Sequence, residues 1–194
     1  EQTLELTMFD LDRNVMRQFY NGSSNPDAPN APDAKNLPTT GAEATKLSGI
    51  AKLIPGSVVD SHLFSPCGYS CNGLKDGTYF TIHITPEPQC SFVSFETNLP
   101  VKCYDSLLAL LLETFKPGNF CMSLFVDDRS PSVCSQKSMS WKYKGFKANW
   151  QSYQHFGSYN VTAGHFTAAN QVAPSNPDED HEAVQVEVSK FSSQ

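Results

Sequence analysis

Three runs of strand character crowd into residues 58–97, at 58–64, 79–85 and 91–97, and the connections between them are too short for parallel crossovers. That spacing predicts an antiparallel sheet. Asn72-Gly73 and Asp76-Gly77, between the first two runs, are dipeptides of the kind that close hairpins. Within the second run, Tyr79, Thr81, His83 and Thr85 point one way and Phe80, Ile82 and Ile84 the other, because successive side chains of a strand alternate between its faces. The apolar set should pack on a helix. The other set is too aromatic for free solvent and too polar for a sealed core, which is the character of a cleft wall.

The covering helix is legible at 105–115, where Leu107, Leu108, Leu111, Leu112 and Phe115 form a stripe and Pro117-Gly118 ends it. Residues 3–8 alternate as a strand, and Asp10 or Asp12 can cap a short helix through Val15, Met16 and Phe19 that ends near Asn21-Gly22. Residues 42–53 predict a second helix, stopped by Ile54-Pro55-Gly56. Further strands are expected at 120–127 and 140–146, with one more within 153–165. Residues 21–40, rich in Asn and Pro, predict a flexible insert, and residues 169–194 a mobile acidic tail. The ordered part is therefore expected to be one domain over residues 1–168, of class α+β, an antiparallel sheet with helices on one face.

Charge and composition exclude several functions. With 14 basic against 20 acidic residues the net charge is −6, and no Lys/Arg-rich run offers a surface for a phosphate backbone, so nucleic acid is not an expected partner. No stretch reaches the ~20 apolar residues of a membrane span, and the first residues lack the basic and apolar regions of a secretory signal, which predicts a cytoplasmic protein. Six cysteines spread through 194 residues are expected as free thiols. The chain begins in strand pattern without an initiating methionine, as a piece of a longer polypeptide would.

Chemistry concentrates at 64–87. Taken alone, His83 reads as a histidine satisfied by threonine hydroxyls, but it lies at the centre of the cleft-like face. Glu87 is either a solvated turn residue or a carboxylate placed to accept from a polyol such as ribose. Phe64 opens the run Ser65-Pro66-Cys67-Gly68-Tyr69-Ser70, where a bent backbone leaves a ring beside a hydroxyl and a thiol; it is either core or a surface on which a purine stacks. Cys67 and Cys71 with His83 lack the second ligand pair of a zinc site, so no metal is expected. Ser70 with His83 has no nucleophile-elbow glycines around it, and no phosphate loop or dinucleotide fingerprint is present.

Five segments together, Gln2-Thr3-Leu4-Glu5, residues 53–58, Pro66-Cys67-Gly68-Tyr69-Ser70, Thr81-Ile82-His83-Ile84-Thr85-Pro86-Glu87 and Phe95-Glu96-Thr97-Asn98, resemble the C-terminal half of the eukaryotic S-adenosylmethionine decarboxylases. The resemblance runs from Thr3 to about Phe125 and fades beyond. It implies one half of an α/β/β/α sandwich, from an enzyme made as a proenzyme that cuts itself at a serine to create a covalent pyruvoyl group. That serine would belong to a segment outside this chain.

By the same resemblance Ser70 would hold the oxyoxazolidine intermediate of self-cleavage and His83 would take the proton that lets the ester eliminate, with Cys67 beside them. Phe64 would stack on the adenine of S-adenosylmethionine and Glu87 would bind its ribose. Thr3, Glu5, Glu96 and Phe125 resemble a buried site for putrescine as activator, with Glu1 where the family often has Asp. Two functions follow as expectations: a decarboxylase of spermidine and spermine synthesis, inactive without its missing segment, or a regulatory paralogue that pairs with and activates a true decarboxylase. A homodimer or a heterodimer of paralogues fits either.

Overall fold

Strict alternation sets the architecture. In β1 (Gln2–Phe9) Gln2, Leu4, Leu6 and Met8 are buried while the residues between them are half-buried, the pattern of a strand sealed on one side only. The same pattern recurs in β4 (Thr78–Thr85), β5 (Phe92–Thr97), β6 (Asn119–Asp127) and β8 (Tyr159–Ala168). With β2 (Val58–Leu63), β3 (Tyr69–Lys75) and β7 (Phe146–Phe156) they make one eight-stranded sheet in the order β2-β3-β4-β5-β1-β6-β8-β7. Every pairing is antiparallel. The computed structural model describes residues 1–23, 37–131 and 142–170.

The helices cover one face. α1 (Arg13–Met16) starts at Asp12, whose carboxylate accepts from the backbone N–H groups of Asn14 and Val15, and it runs into a single tight turn, Arg17–Phe19. α2 (Gly41–Ser48) is capped by Thr40, and α3 (Asp105–Phe115) ends where Lys116 turns left-handed and donates its N–H to Leu112 O. Phe19, Ala44, Ile50, Leu108, Leu111 and Phe115 from these segments form one buried cluster with the inward residues of the sheet, Phe80, Ile82 and Ile84 among them. Phe80 stacks on Phe95 with centroids 6.2 Å apart and Phe120 on Phe166 at 4.8 Å. The buried Gln2 amide donates to the carbonyls of Leu99 and Val101, fixing the segment that leads into α3.

Four details differ from the sequence reading. Residues 69–75 form a strand, β3, and Asn72-Gly73 lies inside it; only Asp76-Gly77 turns, with φ positive at both residues as a two-residue hairpin loop of this kind requires. Gly73 serves packing instead, since a Cβ there would meet Phe80 Cε1 at 1.9 Å. The helix expected over 42–53 stops at Ser48 because Gly49 turns left-handed at φ 85°, and Ile50–Lys52 continue as a short tight turn. The expected strand at 140–146 does not form over its described residues 142–145, which turn through Gly145 at φ 85° before β7 begins. The strand expected within 153–165 is two strands, because β7 and β8 reverse at Gly157-Ser158.

Most of the insert, residues 24–36, and the acidic tail, residues 171–194, lie outside the described residues. The insert's ends are held together by Gly22 N–H donating to Pro38 O at 2.9 Å. Gly73→Ala is expected to destabilise the protein by about 1–3 kcal/mol, the cost of forcing extra volume against a packed ring, whereas Gly77→Ala meets no atom within 4 Å and carries only backbone strain. Urea unfolding of the two variants tests this, and a Gly73→Ala midpoint equal to the unsubstituted protein would contradict it.

Candidate functional site

The face away from the helices carries Ser70, His83, Glu5 and Glu96. One register row runs across it through His62, Ser70, His83, Ser94, Thr7, Cys121, His165 and Trp150. The adjacent row runs through Asp60, Asn72, Thr81, Glu96, Glu5 and Ser123. Ser70 and His83 are thus directly paired across β3 and β4, and Ser70 Oγ lies 2.7 Å from His83 Nδ1. Thr81 Oγ1 meets the other ring nitrogen, Nε2, at 3.2 Å. Both edges of the imidazole are held by hydroxyls while the ring itself is exposed, so it is positioned to exchange a proton with a group arriving on this face.

Phe64 and Cys67 sit in the loop between β2 and β3. That loop is tied to the segment after α1: Gly68 N–H donates to Phe19 O, Asn21 N–H donates to Pro66 O, and Tyr20 bridges to Cys67. Gly68 takes φ 108°, and its carbonyl accepts Phe64 N–H at 2.8 Å, which turns the Phe64 ring outward; it is 45% exposed. The Cys67 thiol is pushed up in pKa by burial and then by the negative charge of the nearby Glu87 carboxylate. Cys71, in contrast, faces the helices and is held as a thiol up to about 11 by burial. Cys67, Cys71, Cys90, Cys103 and Cys121 are free, and among the described residues no group of His, Cys, Asp and Glu converges as a metal site would.

The second set meets at the sheet centre. Glu5 is directly opposite Glu96, and Thr3 is opposite Phe125. Two like charges facing each other across a strand pair are destabilising, and neutral donors relieve them here: Ser123 Oγ donates to Glu5 Oε2 at 3.0 Å, and the Tyr79 hydroxyl donates to Glu96 Oε1. Neither ion pair found among the described residues involves these carboxylates. Within this chain Glu5 and Glu96 are half-buried and Phe125 is 39% exposed. Tyr159 and Ser123 join this set only through register, Tyr159 donating to Glu1 Oε2 at 3.4 Å, and no local sequence pattern marks them.

A family model described as adenosylmethionine decarboxylase matches residues 1–167. The chain belongs to this family. It is 42% identical over 175 residues to the S-adenosylmethionine decarboxylase proenzyme of Xenopus laevis, covering 90% of this chain and 47% of that protein. To the proenzyme of Dictyostelium discoideum it is 41% identical over 176 residues, covering 91% and 40%. The crystal structure of the Trypanosoma brucei AdoMetDC-delta26 monomer superposes with a TM-score of 0.71 at 25% identity, covering 87% of this chain and 65% of that one. The eight-stranded antiparallel sheet with its few helices matches the half-sandwich of the adenosylmethionine decarboxylases. The family match runs to residue 167, well past Phe125, beyond which the sequence resemblance fades, and the chain spans less than half the length of those two proenzymes.

The hydrogen bond to Glu96 is the main cause that pushes the Tyr79 phenol up to about 12, followed by burial and by the charges of Glu96, Glu5 and Glu1, since all of these disfavour the phenolate. Glu96→Gln should therefore move Tyr79 down toward ordinary tyrosine. Ultraviolet titration of the phenolate band, with Tyr79→Phe to assign the transition, checks this; an unmoved transition would contradict the pairing.

Proposed function

We propose that this chain is the substrate-binding and maturation-assisting part of a pyruvoyl-dependent S-adenosylmethionine decarboxylase of polyamine synthesis, whose pyruvoyl-forming serine lies in a segment outside these residues. The observation that carries this reading is the Ser70–His83 pair at 2.7 Å on the face away from the helices. In a serine-directed self-cleavage, Ser70 Oγ donates to the oxyanion that forms when the serine attacks its own preceding carbonyl, and His83 then accepts the α-proton as the ester eliminates. Thr81 holds the imidazole edge-on for that transfer.

The surroundings suit a pyruvoyl group. A ketone-bearing acyl group calls for hydroxyl or imidazole donors and for no competing primary amine, and neither register row through His83 or Thr81 contains a lysine. Once formed, the group supplies the electron sink that lets carbon dioxide leave. This chain's own residues bind the nucleoside: Phe64 offers its ring to the adenine, and Glu87, near the Cys67 thiol, accepts from the ribose hydroxyls. The opposed Glu5 and Glu96 carboxylates, with Thr3 and Phe125 beside them, suit a diamine such as putrescine, whose charge would offset their repulsion.

In the full-length protein, His83→Ala should leave the urea midpoint nearly unchanged, because His83 is exposed, yet block the appearance of the two-chain form seen on denaturing electrophoresis. Normal cleavage in that variant would overturn the role given to His83. An unsubstituted protein that never cleaves would instead favour the regulatory paralogue.

A further inference from the structure

His62 belongs to no set described so far, although it stands at one end of the row that carries Ser70 and His83. It is exposed on β2, two residues before Phe64, and its ring meets the Phe64 ring at a centroid distance of 4.6 Å and an interplanar angle of 66°. On the loop side the Phe64 backbone is tethered, its N–H donating to Gly68 O at 2.8 Å. The exposed phenylalanine therefore has one ring edge-packed against it and a tethered backbone, and it remains 45% exposed. Without such support an exposed phenylalanine samples several rotamers, and a flat ligand must order it on binding.

We propose that His62 is a positioning residue that braces Phe64 as the platform for the adenine of S-adenosylmethionine. This rests on the reading of Phe64 as the adenine platform. The contact is ring against ring, so its contribution depends on an aromatic or imidazole ring at position 62 and not on a hydroxyl, amide or charge there. His62 also neighbours Ser70 in register, which makes a role in self-cleavage the competing assignment, and the two differ in what they move.

The test uses the full-length protein and four variants, His62→Ala, His62→Asn, His62→Phe and Phe64→Ala, with equilibrium dialysis of labelled S-adenosylmethionine, steady-state kinetics and electrophoresis of the cleavage products. His62→Ala and His62→Asn are expected to raise Kd and KM about three- to tenfold with kcat and self-cleavage unchanged, and His62→Phe to restore the affinity. Unchanged affinity in His62→Ala and His62→Asn while Phe64→Ala weakens binding would overturn the brace and leave the platform standing. Unchanged affinity in Phe64→Ala would remove the platform and the brace with it. Lost self-cleavage in both His62→Ala and His62→Phe would overturn the proposal in favour of a role on Ser70. Should His62→Ala fail to fold, His62→Asn against His62→Phe carries the same comparison.

Discussion

The register of β1 between β5 and β6 is the constraint on which the remainder of the molecule depends. Its inward residues Leu4, Leu6 and Met8 are at most 1% exposed, and its outward residues Thr3, Glu5 and Thr7 lie at the centre of the open face. A slip of one residue would exchange the two sets, drive a carboxylate into the core and bring leucines to the surface. Because the site rows are read strand by strand from this register, the pairing of Glu5 with Glu96 and of Ser94 with both Thr7 and His83 are consequences of the same packing that stabilises the sheet.

One-sidedness then separates stability from chemistry. The helices seal one face with aromatic and aliphatic side chains, and Cys71, on that side, is an inert thiol. The other face keeps hydroxyls, imidazoles and carboxylates in rows with exposed rings at their margins, Phe64 and Trp150 among them. A sheet that faced water permanently would have little reason to hold two carboxylates opposite each other or to fix an exposed phenylalanine. A face that contacts a second protein segment and a cationic nucleoside has reason for both, which is what the proposed function asks of it.

Much of the fold was legible in the sequence, for identifiable reasons. The spacing of Leu108, Leu111 and Phe115 gave α3 its observed bounds, and alternation in residues 79–85 assigned the two faces of β4 correctly. β3 was missed because Asn72-Gly73 carries a turn signature that tertiary packing against Phe80 overrides. The β7–β8 hairpin was misread because β7 is exposed along nearly its whole length, so burial imposes no alternation on its sequence. For the site, residue types and face were readable from alternation, but the hydrogen bond between Ser70 and His83, the Tyr79–Glu96 bond and the contact between His62 and Phe64 are matters of register and rotamer that no local pattern encodes.

The central claim is that the open face prepares and serves an electrophile supplied from elsewhere in a longer polypeptide. Intact mass spectrometry of the full-length protein, before and after borohydride reduction, tests it most directly. The account predicts two chains whose masses sum to the translated product plus the water consumed and less the ammonia released in forming a keto group, with the chain containing these residues gaining hydrogen on reduction. A single uncut chain unaltered by borohydride would contradict it.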